Sequence, residues 1–286
     1  MISDSPFAEQ ASRATTIAII RRKAIEAFGR HGLDVERIDG TTLGNDIGVR
    51  FPLENLVGHC LDNSRSVWDK IIDMHARTMV QATRDPDPST LSDDEFFSRV
   101  RERVLAPNVL DRFSDYDYSR PLVEDAPVSP QCVLGLSFPG RAFVLADRHL
   151  VGRNIETAWA AGRANTASVE FDDYEELRKN GIRVEVRRGN SIFLASKVAD
   201  MRTLITDHFG TSPNGVLFAI PNSYEIDYYR PRSSDDAMRA VPLLADIARM
   251  FCTEPSPLSP NVFFWQDGEF SLVHDGYAEI TASRAE

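Results

Sequence analysis

Short apolar segments alternate with turn residues in the second half of the chain, and this pattern predicts β-hairpins that are mostly followed by a helix. Asp267-Gly268 gives the clearest signal, because this dipeptide suits the positive-φ positions of a type I′ turn. A two-residue turn there places Trp265 opposite Phe270, so one face of that hairpin is aromatic. The four turns are predicted at Pro139-Gly140, Gly189-Asn190, Asn222-Ser223 and Asp267-Gly268.

Apolar residues at three- and four-residue steps predict the helices. Ile17, Ile20 and Ala24 follow this spacing in the first helix, and Gly32 ends it. Ser92 and Glu95 have the spacing of a capping box, in which each side chain accepts a hydrogen bond from a free backbone N–H of the first turn. We predict helices at 8–31, at 52–83 as one long or broken helix, from 92 through 104, and at 172–180, with a short hairpin of segments 33–39 and 47–51.

Antiparallel hairpins that alternate with helices predict an α+β fold with a mostly antiparallel sheet of repeated hairpin-helix units and helices packed on one face. A parallel doubly wound sheet does not fit this order. The segment 108–130 is irregular and rich in proline, which is typical of a boundary between domains. We therefore predict a mainly helical region with one short hairpin at 1–120 and a hairpin-helix repeat domain at 121–286.

Composition excludes several classes of protein. The chain has 286 residues and a formal charge of −11, which disfavours a nucleic acid partner. No apolar run approaches the length of a membrane span, and the first residues lack the features of a secretory signal. Because the three cysteines are far apart, a reducing compartment is expected, and we predict a cytoplasmic protein.

The candidate catalytic groups have simpler structural explanations. The segment Gly135-Leu136-Ser137-Phe138-Pro139 resembles a nucleophile motif, but a return strand follows where that motif needs a helix. His59, Cys60 and His75 could share a site only if the helix that carries them is broken, since on a continuous helix the two histidines lie about 24 Å apart. No zinc, phosphate-loop or dinucleotide motif is present. We assign no catalytic residue, metal or cofactor.

One strand combines aromatic and charged residues on both faces, and an exposed outer face would make it a contact surface. Its candidate binding residues are Tyr224, Tyr228, Tyr229 and Arg230.

Three segments resemble a family of uncharacterised bacterial proteins typified by YtpQ. They are Phe51-Pro52-Leu53-Glu54-Asn55-Leu56 followed by Trp68 and His75, the helix from Asn154 to Asn165, and Gly215-Val216-Leu217-Phe218-Ala219-Ile220-Pro221. That family has no established activity, so the resemblance implies core and turn residues and no catalytic set.

The leading hypothesis is a non-catalytic cytoplasmic protein that binds another macromolecule, as an adaptor, a regulator or a neutraliser of a basic partner protein. The negative charge, the repeated sheet units and the lack of a catalytic motif favour it. Two alternatives stay open. One is a hydrolase whose site is assembled from residues distant in sequence. The other is a sensor that binds a small ligand between sheet and helices.

Overall fold

The computed structural model describes residues 6–46, 48–107, 109–111, 115–139 and 141–283, without the side chains of 6–12, 55, 282 and 283. The predicted strand residue Ile47, the turn residue Gly140 and the first five residues lie outside this part of the chain. Helices and antiparallel sheets together make an α+β fold, which confirms the predicted class. The chain forms two compact units, Met1–Pro86 and Asp87–Glu286, so the division comes earlier than residue 120.

The first unit is built from three helices and a small antiparallel sheet of three strands in sequence order. The middle strand, Thr42–Gly44, lies between the two segments predicted to form the hairpin, 33–39 and 47–51. The predicted helix at 52–83 is broken after Leu61, where a 3₁₀ turn at Arg65–Val67 precedes Trp68. The elements are α1 (Pro6–Arg30), β1 (Glu36–Arg37), β2 (Thr42–Gly44), β3 (Arg50–Pro52), α2 (Glu54–Leu61) and α3 (Trp68–Arg84).

The second unit begins with a sheet in which β6 is the central strand. The capping box of Ser92 and Glu95 forms as predicted. The helix that it begins ends at Arg99, and Val100–Val104 is wrongly predicted as helix, because this segment pairs with β6. The elements are α4 (Asp93–Arg99), β4 (Val100–Leu105), β5 (Arg120–Pro121), β6 (Gln131–Phe138), β7 (Arg141–Val144), α5 (Asp147–Leu150) and α6 (Ile155–Ala167). Strand β4 precedes residue 120 and β6 follows it. Because the two strands pair, the residues on both sides of the predicted boundary belong to one unit.

A six-stranded antiparallel sheet completes this unit, in the order β13-β12-β10-β11-β9-β8. Its elements are β8 (Asp173–Lys179), β9 (Ile182–Arg188), α7 (Met201–Leu204), β10 (Val216–Ala219), β11 (Glu225–Tyr229), α8 (Ser234–Phe251), β12 (Val262–Gln266), β13 (Glu269–His274) and α9 (Gly276–Ser283). A 3₁₀ segment (Ala195–Asp200) precedes α7, and a π-helical turn (Ile205–Phe209) follows it. Although a proline usually kinks or ends a helix, Pro242 lies inside α8, which is one continuous helix.

The hairpin predicted across Gly189-Asn190 is wrong, as is the helix predicted at 172–180. The segment predicted as a helix is strand β8. It pairs with β9 from Asp173 opposite Arg188 to Lys179 opposite Ile182. The turn between them is Asn180-Gly181, with φ of 53° and 79°, as a type I′ turn requires. Gly181, which directly follows the predicted helix, is therefore the second residue of a hairpin turn.

The last two hairpins differ in how well their turns were predicted. Asp267 and Gly268 have φ of 54° and 102°, and Trp265 lies opposite Phe270, as predicted. The connection near Asn222-Ser223 is longer than two residues and pairs Phe218 with Tyr228. A two-residue turn would have paired Leu217 with Tyr228. Because side chains alternate along a strand, this shift places Tyr228 on the same face of the sheet as Phe218 and on the opposite face from Leu217.

Both faces of the six-stranded sheet are covered. Phe218 and Tyr228 belong to one core, to which the π-helical turn contributes Phe209. Leu217 and Ala219 belong to a second core, under the apolar side of α8. Helix α8 packs on one face of the sheet, and the helical segments from Ala195 to Phe209 contribute to the core on the other.

Candidate functional site

A polar cavity of about 690 Å³ lies at the end of β11, and arginine is its commonest charged residue. Four arginines face one glutamate among its lining side chains, which leaves a formal excess of three positive charges. In a chain with a formal charge of −11, this concentration of positive charge is unusual. The charged lining residues are Arg178, Arg183, Arg230, Arg232 and Glu185, and Tyr229, Thr211, Ser212 and Asn214 also line the cavity.

The hairpin of β8 and β9 positions two of these arginines. Arg178 lies directly opposite Arg183 in the register set by the Asn180-Gly181 turn. Glu176 accepts a hydrogen bond from each of them, at 2.7 Å from Arg178 and 3.1 Å from Arg183. Like charges placed opposite each other on a sheet repel, and the carboxylate between them offsets that cost.

Glu185 organises the centre of the cavity. It is 8% exposed and accepts hydrogen bonds from the Tyr228 hydroxyl at 2.6 Å and from an Arg230 N–H at 2.8 Å. Arg183 also lies 3.6 Å from the carboxylate. Burial by itself would raise the pKa of Glu185, but the hydrogen bonds from Tyr228 and Arg230 outweigh it and lower the pKa. Glu185 therefore stays ionised and holds Arg230 in place.

Tyr228 lies beneath the cavity and is not a contact surface. It is fully buried and stacks on Phe209 at 3.5 Å between ring centroids. Burial raises the pKa of its hydroxyl, as does the hydrogen bond to Glu185. The condition of an exposed outer face is not met at Tyr228, because β11 is an inner strand, paired with both β9 and β10.

Two backbone segments close the rim of the cavity. Asn214 donates hydrogen bonds to the carbonyl oxygens of Pro231 and Arg232, which joins the loop after the π-helical turn to the end of β11. Tyr229 donates its hydroxyl to Asp236 at 2.8 Å, and the same carboxylate accepts the backbone N–H of Arg232. The guanidinium of Arg232 is exposed and makes no ion pair among the described residues.

The four predicted binding residues are therefore divided. Tyr229 and Arg230 line this cavity, Tyr228 supports it through Glu185, and Tyr224 lines a different cavity at the other end of β11. Sequence reasoning missed Arg178, Arg183 and Glu185, because β8 was predicted as a helix and β9 was paired with the wrong partner. The Asn180-Gly181 dipeptide was the signal that could have found them.

The candidate catalytic groups form no site within the described part of the chain. Ser137 lies in β6 opposite Ala142 of the return strand, as predicted. The break before α3 does not create a metal site, since no three metal-ligating side chains converge among the described residues. Burial lowers the pKa of His75, as does the charge of His59, and burial raises the pKa of the Cys60 thiol. A neutral buried thiol is a poor nucleophile.

No helix in the described ranges has both the length and the apolar character needed to cross a bilayer. Comparisons with protein-family models, with curated proteins and with solved structures found no match for this chain.

Proposed function

We propose that this protein is a non-catalytic binding protein, and that its arginine-lined cavity holds an anionic group of a partner. The observation that carries the proposal is the convergence of Arg178, Arg183, Arg230 and Arg232 on one cavity. A guanidinium presents parallel N–H groups that match phosphate and carboxylate oxygens, so a cluster of them favours an oxyanion.

Preorganisation supports this role. Glu185 fixes Arg230 at 2.8 Å, so little side-chain entropy is lost when Arg230 meets a ligand. Arg232 is exposed at the rim without a carboxylate partner among the described residues. Arg178 is also exposed, and among the described residues it pairs only with Glu176. The cavity thus combines a fixed donor with two accessible ones.

A basic partner was expected because the total charge of the chain is negative. The charge at this cavity is positive. An acidic segment or a phosphorylated side chain of a partner protein is complementary to it. We keep the cytoplasm as the proposed location, since Cys60, Cys132 and Cys252 are all free.

Isothermal titration with a phosphoserine peptide tests the proposal. The double variant Arg178→Gln/Arg232→Gln should weaken binding by about tenfold or more, because two charge-assisted contacts are lost. The double variant Arg148→Gln/Arg249→Gln removes the same net charge from exposed ion pairs elsewhere and should bind like the wild type. Equal weakening in both double variants, or no binding by the wild type, would contradict the proposal.

A small-ligand sensor is the second candidate, because the cavity volume of about 690 Å³ suits a small molecule. Titration with inorganic phosphate and with a nucleoside monophosphate separates the two. Tighter binding of the nucleotide than of the phosphoserine peptide would favour the sensor.

A further inference from the structure

A smaller cavity of about 250 Å³, here called the apolar groove, lies between the start of helix α8 and the sheet. This volume is below the roughly 300–1,000 Å³ of sites that enclose a whole small ligand, so it suits a single side chain. Most of the lining residues are apolar, and these are Leu217, Ala237, Met238, Val241, Phe264 and Val273.

The apolar groove is open to solvent at Met238. This residue is 64% exposed, whereas Leu217 is buried and Phe264 is half-buried. Ala237, Met238 and Val241 follow steps of three and four residues, so one side of α8 faces the groove. A methionine side chain is flexible and adapts to apolar groups of different shapes. The groove therefore combines a fixed apolar floor with an adaptable, exposed wall.

The strand register places the apolar groove next to the arginine-lined cavity. Leu217 lies directly opposite Tyr229 of β11 on one side and opposite Phe264 of β12 on the other. Tyr229 lines the arginine-lined cavity, whereas Leu217 and Phe264 line the groove. Since neighbouring strands are about 4.8 Å apart, the backbones at Tyr229 and Phe264 are separated by about 10 Å.

The loop before β10 contacts both sites. Asn214 lines the groove as well as the cavity, and its amide donates hydrogen bonds to the backbone of Pro231 and Arg232 at the cavity rim. The next residue, Gly215, has a φ of 76°, and a Cβ there would overlap the ring of Phe264 in the groove. This loop therefore holds the two sites at a fixed distance from each other.

We propose that the two sites bind one extended segment of a partner protein, with an anionic side chain in the arginine-lined cavity and a bulky apolar side chain in the apolar groove. This inference rests on the proposed function of the arginine-lined cavity and specifies the partner that it binds. Because an extended chain advances about 3.3 Å per residue, about three residues span the distance between the sites. Arginines accept many phosphates and carboxylates, and the apolar contact distinguishes among the segments that carry them.

Isothermal titration of the full chain with a series of phosphoserine peptides tests this inference. In a background of alanine and glycine, a single leucine is placed in turn at each of the four positions on either side of the phosphoserine. A leucine two to four residues away on one side should strengthen binding by about tenfold over the peptide without leucine, because its side chain is buried in the groove. Equal affinity throughout the series would overturn this inference and leave the proposed function intact, whereas no binding of any peptide would overturn both.

Two methionines of α8 then locate the apolar contact. Met238→Gln makes the exposed wall of the groove polar, so it should abolish the gain from leucine and leave the affinity for the peptide without leucine unchanged. Met250→Gln makes the same change at a 56% exposed position of the same helix, outside the lining of the groove, and should preserve the gain. Glutamine and methionine have similar helix propensities, so both variants should fold. A gain that survives Met238→Gln, or one that both variants lose equally, would refute the groove as the apolar site.

Discussion

The two ends of β11 carry cavities of opposite charge, although Glu225 and Arg230 are only five positions apart in the sequence. The cavity beyond Tyr229 has an excess of three positive charges, and the cavity at Tyr224 has an excess of three negative charges. Tyr228 supports the first cavity through its hydrogen bond to Glu185, and Asp227 lies next to Glu225 of the second. The total charge of −11 conceals this division.

Two buried carboxyl groups show what distinguishes the ends. Glu185 and Asp227 are 8% and 0% exposed, yet the pKa of Glu185 is lowered and the pKa of Asp227 is raised. Glu185 accepts hydrogen bonds from Tyr228 and Arg230. Asp227, by contrast, has the carboxyl of Glu225 as its neighbour and only a weaker electrostatic attraction to Arg188. The supply of donors, more than the small difference in burial, decides the charge of each group.

Removing Glu185 should have the largest effect on this difference. In Glu185→Ala the Tyr228 hydroxyl and the Arg230 guanidinium lose their shared acceptor, and breaking such a pair costs about 3 kcal/mol of unfolding free energy. Urea denaturation measures that loss, and phosphopeptide binding should fall as Arg230 is released. Glu176→Ala, which alters the more exposed carboxylate between Arg178 and Arg183, should cost much less. Similar losses of unfolding free energy in both variants would contradict the central role of Glu185.

Asp227→Asn should stabilise the protein, and increasingly so as the pH rises. Because the pKa of Asp227 is higher in the folded state than its usual value of 3.8, folding becomes less favourable above that pH. The penalty grows by about 1.4 kcal/mol per pH unit until the folded pKa is reached. Asparagine can donate to Glu225 without this penalty.

Urea denaturation at several pH values between 3.5 and 8 measures the difference between wild type and Asp227→Asn. The two should have equal stability near pH 3.5 and diverge above it. A difference that stays constant with pH would show that Asp227 is ionised in the folded state. The negative cavity would then lack the protonated carboxyl that sets it apart.

Local signals predicted those parts of the fold that depend on neighbouring residues. The capping box at Ser92 and the Asp267-Gly268 turn both formed as expected, because each depends only on a few adjacent side chains and backbone angles. Strand β8 was missed because it is an edge strand whose residues are mostly exposed, so it has no apolar alternation to detect. Val100 and Val104 were assigned to the preceding helix because they lie four residues apart, and the residue between them on the buried face of β4 is the charged Glu102.

The candidate site was predicted only in part for a related reason. Tyr229 and Arg230 were selected for their residue types, and they do line a cavity. Arg178 and Arg183 reach that cavity through strand pairing over long range, which a single sequence does not reveal. The burial of Tyr228 likewise follows from β11 being an inner strand, and this depends on the position of β9.

Tyr228→Phe tests the link between core and cavity with a smaller expected effect. The variant keeps the stack on Phe209 but removes the donor to Glu185, and a hydrogen bond to a charged group contributes about 1.5 kcal/mol. Tyr224→Phe is the matched control at the other end, because no described partner bonds its hydroxyl, and it should change stability by less than about 0.5 kcal/mol. Equal effects of the two substitutions would mean that the hydroxyl of Tyr228 does not support Glu185.

Gly181→Ala should have the smallest effect and tests the turn that sets the positive cavity. Gly181 has a φ of 79°, where a Cβ costs about 1 kcal/mol, and open space around it excludes a further clash. The strand register should therefore survive, so phosphopeptide affinity should stay unchanged while urea denaturation shows the lost stability. Gly58→Ala, in helix α2 and also in open space, should instead stabilise by about 0.5 kcal/mol. If Gly181→Ala were as stable as the wild type, the turn would not need a positive φ there, and the pairing of Arg178 with Arg183 would lose its basis.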